Sequence, residues 1–91
     1  MKKHFNLTVI AESNTPGFRF SVMEKAYKYE VSGYIRRKHN GGFFIEAEGD
    51  ENNLEGFVEW CRKGPLGTII QRIDIEESNV KELEGFEIKH R

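Results

Sequence analysis

The spacing of apolar residues predicts strands and helices in a definite order along the chain. Phe5, Leu7 and Val9 alternate with polar residues, which indicates a first strand. Turn-forming residues occupy 13–17, and apolar residues then recur at helical spacing over 18–29, which predicts a helix. Alternation returns over 31–36 and 43–48 on either side of an Asn-Gly-Gly turn at 40–42. These two segments therefore predict a β-hairpin.

The second half of the chain continues with a helix and then strands. Asp50 is placed to cap a helix whose apolar stripe is formed by Leu54, Phe57, Val58 and Cys61. The isoleucines at 70, 73 and 75 indicate a fourth strand, and 86–88 a short final one. The order β-α-β-β-α-β with a late edge strand is typical of an α+β, ferredoxin-like fold. We expect two helices on one face of an antiparallel sheet, with the other face partly open.

Composition narrows the class of protein further. The 91 residues, 37% hydrophobic and 32% charged, suit a single globular domain spanning 1–91. The net charge of -1 provides no bulk attraction to nucleic acid or membranes. No apolar run reaches membrane-spanning length and the first residues do not resemble a signal peptide, so we expect a cytoplasmic protein. The single cysteine, Cys61, excludes an internal disulfide, and we interpret it as a small core residue.

Short motifs then occur in an order that matches one known family. They are PGFR at 16–19, GYIR at 33–36, NG at 40–41, IEAEG at 45–49, FVEWCRKGP at 57–65 and FEI at 86–88. Together they resemble the acylphosphatase family, whose pattern fits this chain from Gly17 to Ile75 without a gap. The resemblance implies a small ferredoxin-like enzyme that hydrolyses acyl phosphates without metal or cofactor. Its ligand would be a small acyl phosphate or a phosphate-like anion.

The resemblance also assigns roles to residues near the first helix. In the family, loop amides and the arginine of the Gly-Phe-Arg motif hold the phosphate, which implies a binding set of Ser13, Asn14, Thr15, Gly17, Phe18 and Arg19. The physical chemistry agrees, because free N–H groups and the positive end of a helix dipole favour an anion. The planar guanidinium of Arg19 adds a charged donor that matches phosphate oxygens.

Two parts of the predicted site depart from the family pattern. Arg37 occupies the position of the asparagine that positions the attacking water. A guanidinium only donates hydrogen bonds, so Arg37 cannot accept one from water, although it can bind a phosphate or carboxylate oxygen. It can equally be a charged residue at a strand end. Within the loop, Ala11 and Thr15 replace glycines, and Glu12 and Pro16 weaken the predicted anion site.

Two hypotheses of function follow from these residues. The first is a monomeric acylphosphatase in which Arg19 and Arg37 are the catalytic residues. The second is an anion-binding or interaction module that keeps the fold without the chemistry. Asn14 and Asn40 lie near the site in sequence and have side-chain amides. Whether either takes the water-positioning role of the family's asparagine is left open by the sequence.

Other patterns in the chain carry weaker interpretations. The basic run 36–39 is either a solvated turn or an extension of the anion site. We interpret Glu46 and Glu48 as residues of an exposed face rather than a catalytic pair. The three histidines lack metal-ligand spacing, and the aromatic context of RNA-binding sheets is absent.

Overall fold

The computed structural model describes residues 1–11, 17–39 and 41–90, which form five strands and two α-helices. In chain order the elements are β1 (Lys2–Ala11), α1 (Phe18–Lys28), β2 (Ser32–Arg37), β3 (Phe43–Asp50), α2 (Glu51–Arg62), β4 (Ile70–Ser78) and β5 (Phe86–Lys89). A 3-10 turn at Pro65–Gly67 follows α2. The predicted order of elements is therefore confirmed, with α1 ending one residue earlier than the apolar spacing suggested.

The strands form a mixed sheet in the order β4-β1-β3-β2-β5. β1 pairs with β3 and β4, and β2 pairs with β3, all antiparallel as predicted. β5 lies at the edge and runs parallel to β2, with Ile88 opposite Ile35. The alternation of apolar residues marks β5 as a strand, but it contains no information about the direction of pairing, so the parallel edge is a finding of the structure.

Both helices pack against one face of this sheet, which is the predicted arrangement. The buried residues of α2 are those of its predicted stripe, and the Asp50 carboxylate accepts a hydrogen bond from the N–H of Asn52 at 3.3 Å. α1 buries Phe18, Val22 and Ala26 against the same core. Among the described residues, no helix is both long and apolar enough to cross a membrane.

The opposite face of the sheet is crossed by residues 79–85, which connect β4 to β5. The crossing is required because these two strands lie at opposite edges of the sheet. On the way, the backbone N–H groups of Lys81 and Leu83 donate to the carboxylate of Glu48 at 2.7 and 2.8 Å. The side chain of Glu48 is therefore buried, with 1% of the residue exposed. The prediction that Glu48 belongs to an exposed face is wrong, because local alternation does not reveal a covering segment from elsewhere in the chain.

Candidate active site

The ends of three strands and the start of α1 lie together at one edge of the sheet. This is an edge formed by strand ends, not the lateral edge formed by β5. β1 and β2 are both antiparallel to β3, so they run in the same direction, and β5 is parallel to β2. The carboxyl ends of β1, β2 and β5 therefore lie at the same edge. The first residue of β3, Phe43, is paired there with Val9 on one side and Arg37 on the other. The fold thus places the two predicted site arginines, Arg19 and Arg37, in the same region of the molecule.

The start of α1 is fixed by its first two residues. Gly17 precedes the helix with φ 84° and ψ -3°, a left-handed conformation that favours glycine. Phe18 is 1% exposed, and its ring lies 4.7 Å from that of Phe43, centre to centre. The first N–H groups of a helix have no acceptor within the helix, and the first turn of α1 contains no acidic residue. This helix start is therefore suited to hold an anion through its backbone.

Arg19 is the second residue of α1 and is partly buried. Within residues 1–11, 17–39 and 41–90, the ion pairs of arginine side chains involve Arg62 with Glu59 and Arg72 with Asp74. The guanidinium of Arg19 forms no ion pair in that part of the chain. Its charge is therefore not neutralised by a described carboxylate.

Arg37 is the last residue of β2 and is exposed. Its guanidinium carbon lies 5.7 Å from the centre of the Phe43 ring, which in turn packs on Phe18. A guanidinium over an aromatic face is attracted by the ring and keeps its N–H edges accessible. The aromatic pair thus links Arg37 to the helix turn that carries Arg19.

Comparison with known proteins identifies the family. A family model described as Acylphosphatase matches residues 15–88. The chain belongs to the acylphosphatase family. It is 36% identical to an acylphosphatase of Thermotoga maritima over 74 residues, 81% of this chain and 82% of that one. It is 28% identical to an acylphosphatase of Oceanobacillus iheyensis over 90 residues, covering 97% and 99% of the two chains.

The fold is similar to solved acylphosphatase structures. The crystal structure of acylphosphatase from Bacillus subtilis superimposes with a TM-score of 0.91 and 28% identity, covering 99% of this chain and 100% of that one. The resemblance drawn from the sequence motifs is therefore confirmed, as is the ferredoxin-like fold class.

The structure describes only part of the predicted acylphosphatase site. Gly17, Phe18, Arg19 and Arg37 lie at the shared edge, where Phe18 can contribute only its backbone because its ring is buried. Three predicted binding residues, Ser13, Asn14 and Thr15, lie outside the described residues, as do Glu12, Pro16 and Asn40. The roles assigned to all of these residues remain predictions.

A cluster on the outer face of β3 was not predicted. The ring of His4 is buried between two carboxylates, with Nδ1 2.8 Å from Glu48 and Nε2 2.9 Å from Glu46. Glu46 also accepts from the hydroxyl of Tyr34 and from Nζ of Lys81, the latter at 3.0 Å. The sequence signal was limited to the alternation of polar residues in β1 and β3, which does not show that these side chains meet.

The two carboxylates of this cluster are held in their charged form. Burial alone would raise the pKa of Glu48, but backbone N–H groups and the His4 ring outweigh it and lower the pKa below its usual 4.5. Burial likewise opposes ionisation of Glu46, yet the hydrogen bonds from Tyr34 and Lys81 lower its pKa. Burial and the bond to Glu46 raise the pKa of Tyr34 above 10.0. The cluster fastens the connection 79–85 to the sheet.

The described residues offer neither a reactive thiol nor a cluster of metal ligands. Cys61 is buried in the core, and burial raises the pKa of its thiol from 9.0 to about 12, so the thiolate is scarce at neutral pH. Its interpretation as a small core residue is confirmed. In the described ranges, no three His, Cys, Asp or Glu side chains are placed to share a metal ion.

Proposed function

We propose that this chain hydrolyses carboxyl-phosphate anhydrides. Water attacks phosphorus, the bond between phosphorus and the acyl oxygen breaks, and a carboxylate and inorganic phosphate are released. Membership of the acylphosphatase family supports this reaction. The observation that carries the proposal is the position of Arg19 in the first turn of α1, at the edge where β1 and β2 end, without a described carboxylate to neutralise it.

Phosphate binding would use the amides of 13–19 together with Arg19. The N–H groups at a helix start and the positive end of its dipole attract an anion, and a guanidinium matches two of its oxygens. In a loose phosphoryl-transfer transition state the charge spreads over the equatorial oxygens. Donors fixed around those oxygens therefore lower the barrier for the reaction.

Arg37 makes this reaction slower than it would be with an amide side chain at the same position. A guanidinium has donors only, so it can bind a phosphate oxygen or the departing carboxylate but cannot accept a hydrogen bond from the attacking water. We therefore propose that Arg37 contributes to anion binding rather than to positioning the water. We propose that the side-chain amide of Asn14 or Asn40 positions the attacking water instead.

Hydrolysis of benzoyl phosphate by the purified protein tests this function. We expect turnover above buffer that falls by about 100-fold in Arg19→Ala, since removal of one transition-state donor commonly has that effect. Arg37→Asn should raise kcat by about tenfold by restoring an amide that orients water. Arg62→Ala, which removes an exposed arginine paired with Glu59, is the matched control and should keep wild-type turnover. Turnover equal to buffer in the wild type and in Arg37→Asn would refute the proposal.

A non-catalytic anion-binding module is the second candidate, favoured by the arginine at position 37. It requires that phosphate or sulfate raise the melting temperature by mass action while hydrolysis stays at the buffer rate. Loss of that stabilisation in Arg19→Ala would place the anion at the start of α1. Benzoyl phosphate hydrolysis that depends on Arg19 would exclude this candidate.

We further propose that the protein acts as a cytoplasmic monomer, without metal or cofactor. The buried thiol of Cys61 is compatible with a reducing compartment. Sedimentation velocity at micromolar concentration tests the monomer, and unchanged hydrolysis after treatment with EDTA tests the independence from metal.

A further inference from the structure

Five basic side chains line an open cleft of about 650 Å³ at the end of β2. They are Arg36, Arg37, Lys38, His39 and His90. Among the described residues that line the cleft, none is acidic. In the part of the chain that the structure describes, the basic partners in ion pairs are Met1, Lys2, Lys3, His4, Arg62, Arg72, Lys81 and Lys89. The cleft residues are absent from these pairs, so the cleft concentrates uncompensated positive charge on a protein whose net charge is -1.

The cleft is built by the ends of two strands and one hairpin. The guanidinium of Arg36 lies 5.0 Å from the centre of the Phe44 ring, and that of Arg37 lies over Phe43. The Lys38 N–H donates to the carbonyl of Gly42 at 2.8 Å, which closes the hairpin. His90 is brought to the same place because β5 pairs with β2 up to Lys89 opposite Arg36. The aromatic contacts and the backbone pairing thus place two arginines, a lysine and two histidines around one cleft.

The cleft adjoins the candidate phosphate site through Arg37. This residue lines the cleft and also contacts Phe43, whose ring packs on Phe18 next to Arg19. A ligand with its phosphate at the start of α1 and its other end directed past Arg37 would meet the remaining basic side chains.

We propose that the cleft is a subsite for a second anionic group on the acyl part of the substrate. The preferred substrates are then acyl phosphates whose acyl chain ends in a carboxylate or a phosphate, rather than neutral acyl phosphates. This inference rests on the proposed function, because it assumes that the first phosphate binds at the start of α1. Several cations without a described counter-charge attract such a group at modest salt concentration.

A matched pair of substrates tests the subsite. Succinyl phosphate and butyryl phosphate have acyl chains of equal length that differ in the terminal carboxylate. We expect kcat/KM to be about fivefold higher for succinyl phosphate, the size expected of contacts between exposed charges. The preference should shrink as salt concentration rises, because exposed charges are screened.

Variants that remove positive charge test which residues cause the preference for succinyl phosphate over butyryl phosphate. In Arg36→Gln/Lys38→Gln the ratio of the two kcat/KM values should approach one. The control Lys25→Gln/Lys28→Gln removes the same charge from the last turn of α1 and should keep the wild-type ratio. Circular dichroism and melting temperature establish that both double variants fold. A preference that survives in the cleft variant, or equal kcat/KM for both substrates in the wild type, overturns the subsite.

A binding experiment separates this inference from the proposed function. Acetonylphosphonate and 4-oxo-5-phosphonopentanoate are non-hydrolysable analogues that differ in chain length and the terminal carboxylate, and calorimetry gives the Kd of each. If no acyl phosphate is hydrolysed, the proposed function fails, yet tighter binding of the carboxylate analogue that is lost in Arg36→Gln/Lys38→Gln still supports the subsite. Equal Kd values for the two analogues contradict it. The same comparison with a terminal phosphate analogue shows which anionic group binds more tightly.

Discussion

Gly33 in β2 occupies a position where the sheet has no room for a side chain. Its φ of 141° lies in the region that favours glycine, and a Cβ built there would be 1.8 Å from the backbone oxygen of Glu46 in β3. The N–H of Gly33 also donates to the carbonyl of Gly85 at 2.8 Å. Gly33 therefore lies close to backbone atoms on both sides of β2, those of Glu46 and those of Gly85.

Gly33→Ala should destabilise the protein severely. A methyl group at this position must push β2 away from β3, and we expect a loss of about 3 kcal/mol or more in the free energy of unfolding, measured in urea. Gly41→Ala is the matched control, because Gly41 has φ 90° but nothing within 4 Å of an added Cβ. The control should lose only about 1 kcal/mol from backbone strain. Equal losses in the two variants would show that strain, not the approach to β3, explains the glycine.

The location of a residue was predictable where it depends on a short motif and not where it depends on distant contacts. Arg19 and Arg37 could be proposed as site residues from their neighbours in sequence, and the structure brings both to one edge of the sheet. The burial of Glu48 could not, because an alternating strand pattern fixes which face a side chain occupies but not what covers that face. One partner of Glu48, Lys81, lies more than 30 positions away along the chain.

The connection 79–85 is an element whose backbone is bound by the side chain of Glu48. Glu48 accepts from the N–H groups of Lys81 and Leu83 and contacts Nδ1 of His4 at 2.8 Å. An amide in its place would put an NH₂ group against at least one of these donors. The attachment of the segment therefore depends on both carboxylate oxygens of Glu48.

Glu48→Gln should loosen this connection more than it disturbs the helices. We expect a loss of about 2 kcal/mol in the free energy of unfolding, the scale of a hydrogen bond to a charged group. Hydrogen exchange followed by NMR should show faster exchange at the amides of Lys81 and Leu83 than in the wild type. Exchange in α2 should change less. The control Glu76→Gln alters an exposed residue of β4 and should leave both amides protected. Unchanged protection in Glu48→Gln would contradict the attachment.

At the level of elements, the spacing of apolar residues predicted the order and type of the strands and helices, but it did not predict every strand pairing. The buried stripe of α2 and its Asp50 cap are local features, and both are confirmed. The parallel edge formed by β5 depends on how residues 79–85 cross the sheet, which is a long-range property. Long-range pairing of this kind leaves no local signature in the four residues of β5.

The stability of the whole molecule should depend on pH through its buried carboxylates. The pKa values of Glu46 and Glu48 are lowered in the folded state, although burial opposes this, because hydrogen bonds favour the charged forms. The unfolded chain then binds protons at higher pH than the folded chain does. These groups therefore stabilise the fold fully above their ordinary pKa of 4.5, and that contribution is lost as the pH falls through their folded pKa values.

Urea unfolding between pH 7 and pH 3 measures this dependence. The wild type should lose stability as the pH falls below about 4.5, since protonation removes the charge that accepts the hydrogen bonds. Glu48→Gln should start from a lower stability at pH 7 and fall less steeply, because its amide does not titrate. Glu76→Gln should follow the wild-type slope. If Glu48→Gln and the wild type fell in parallel, the acid sensitivity would come from other groups.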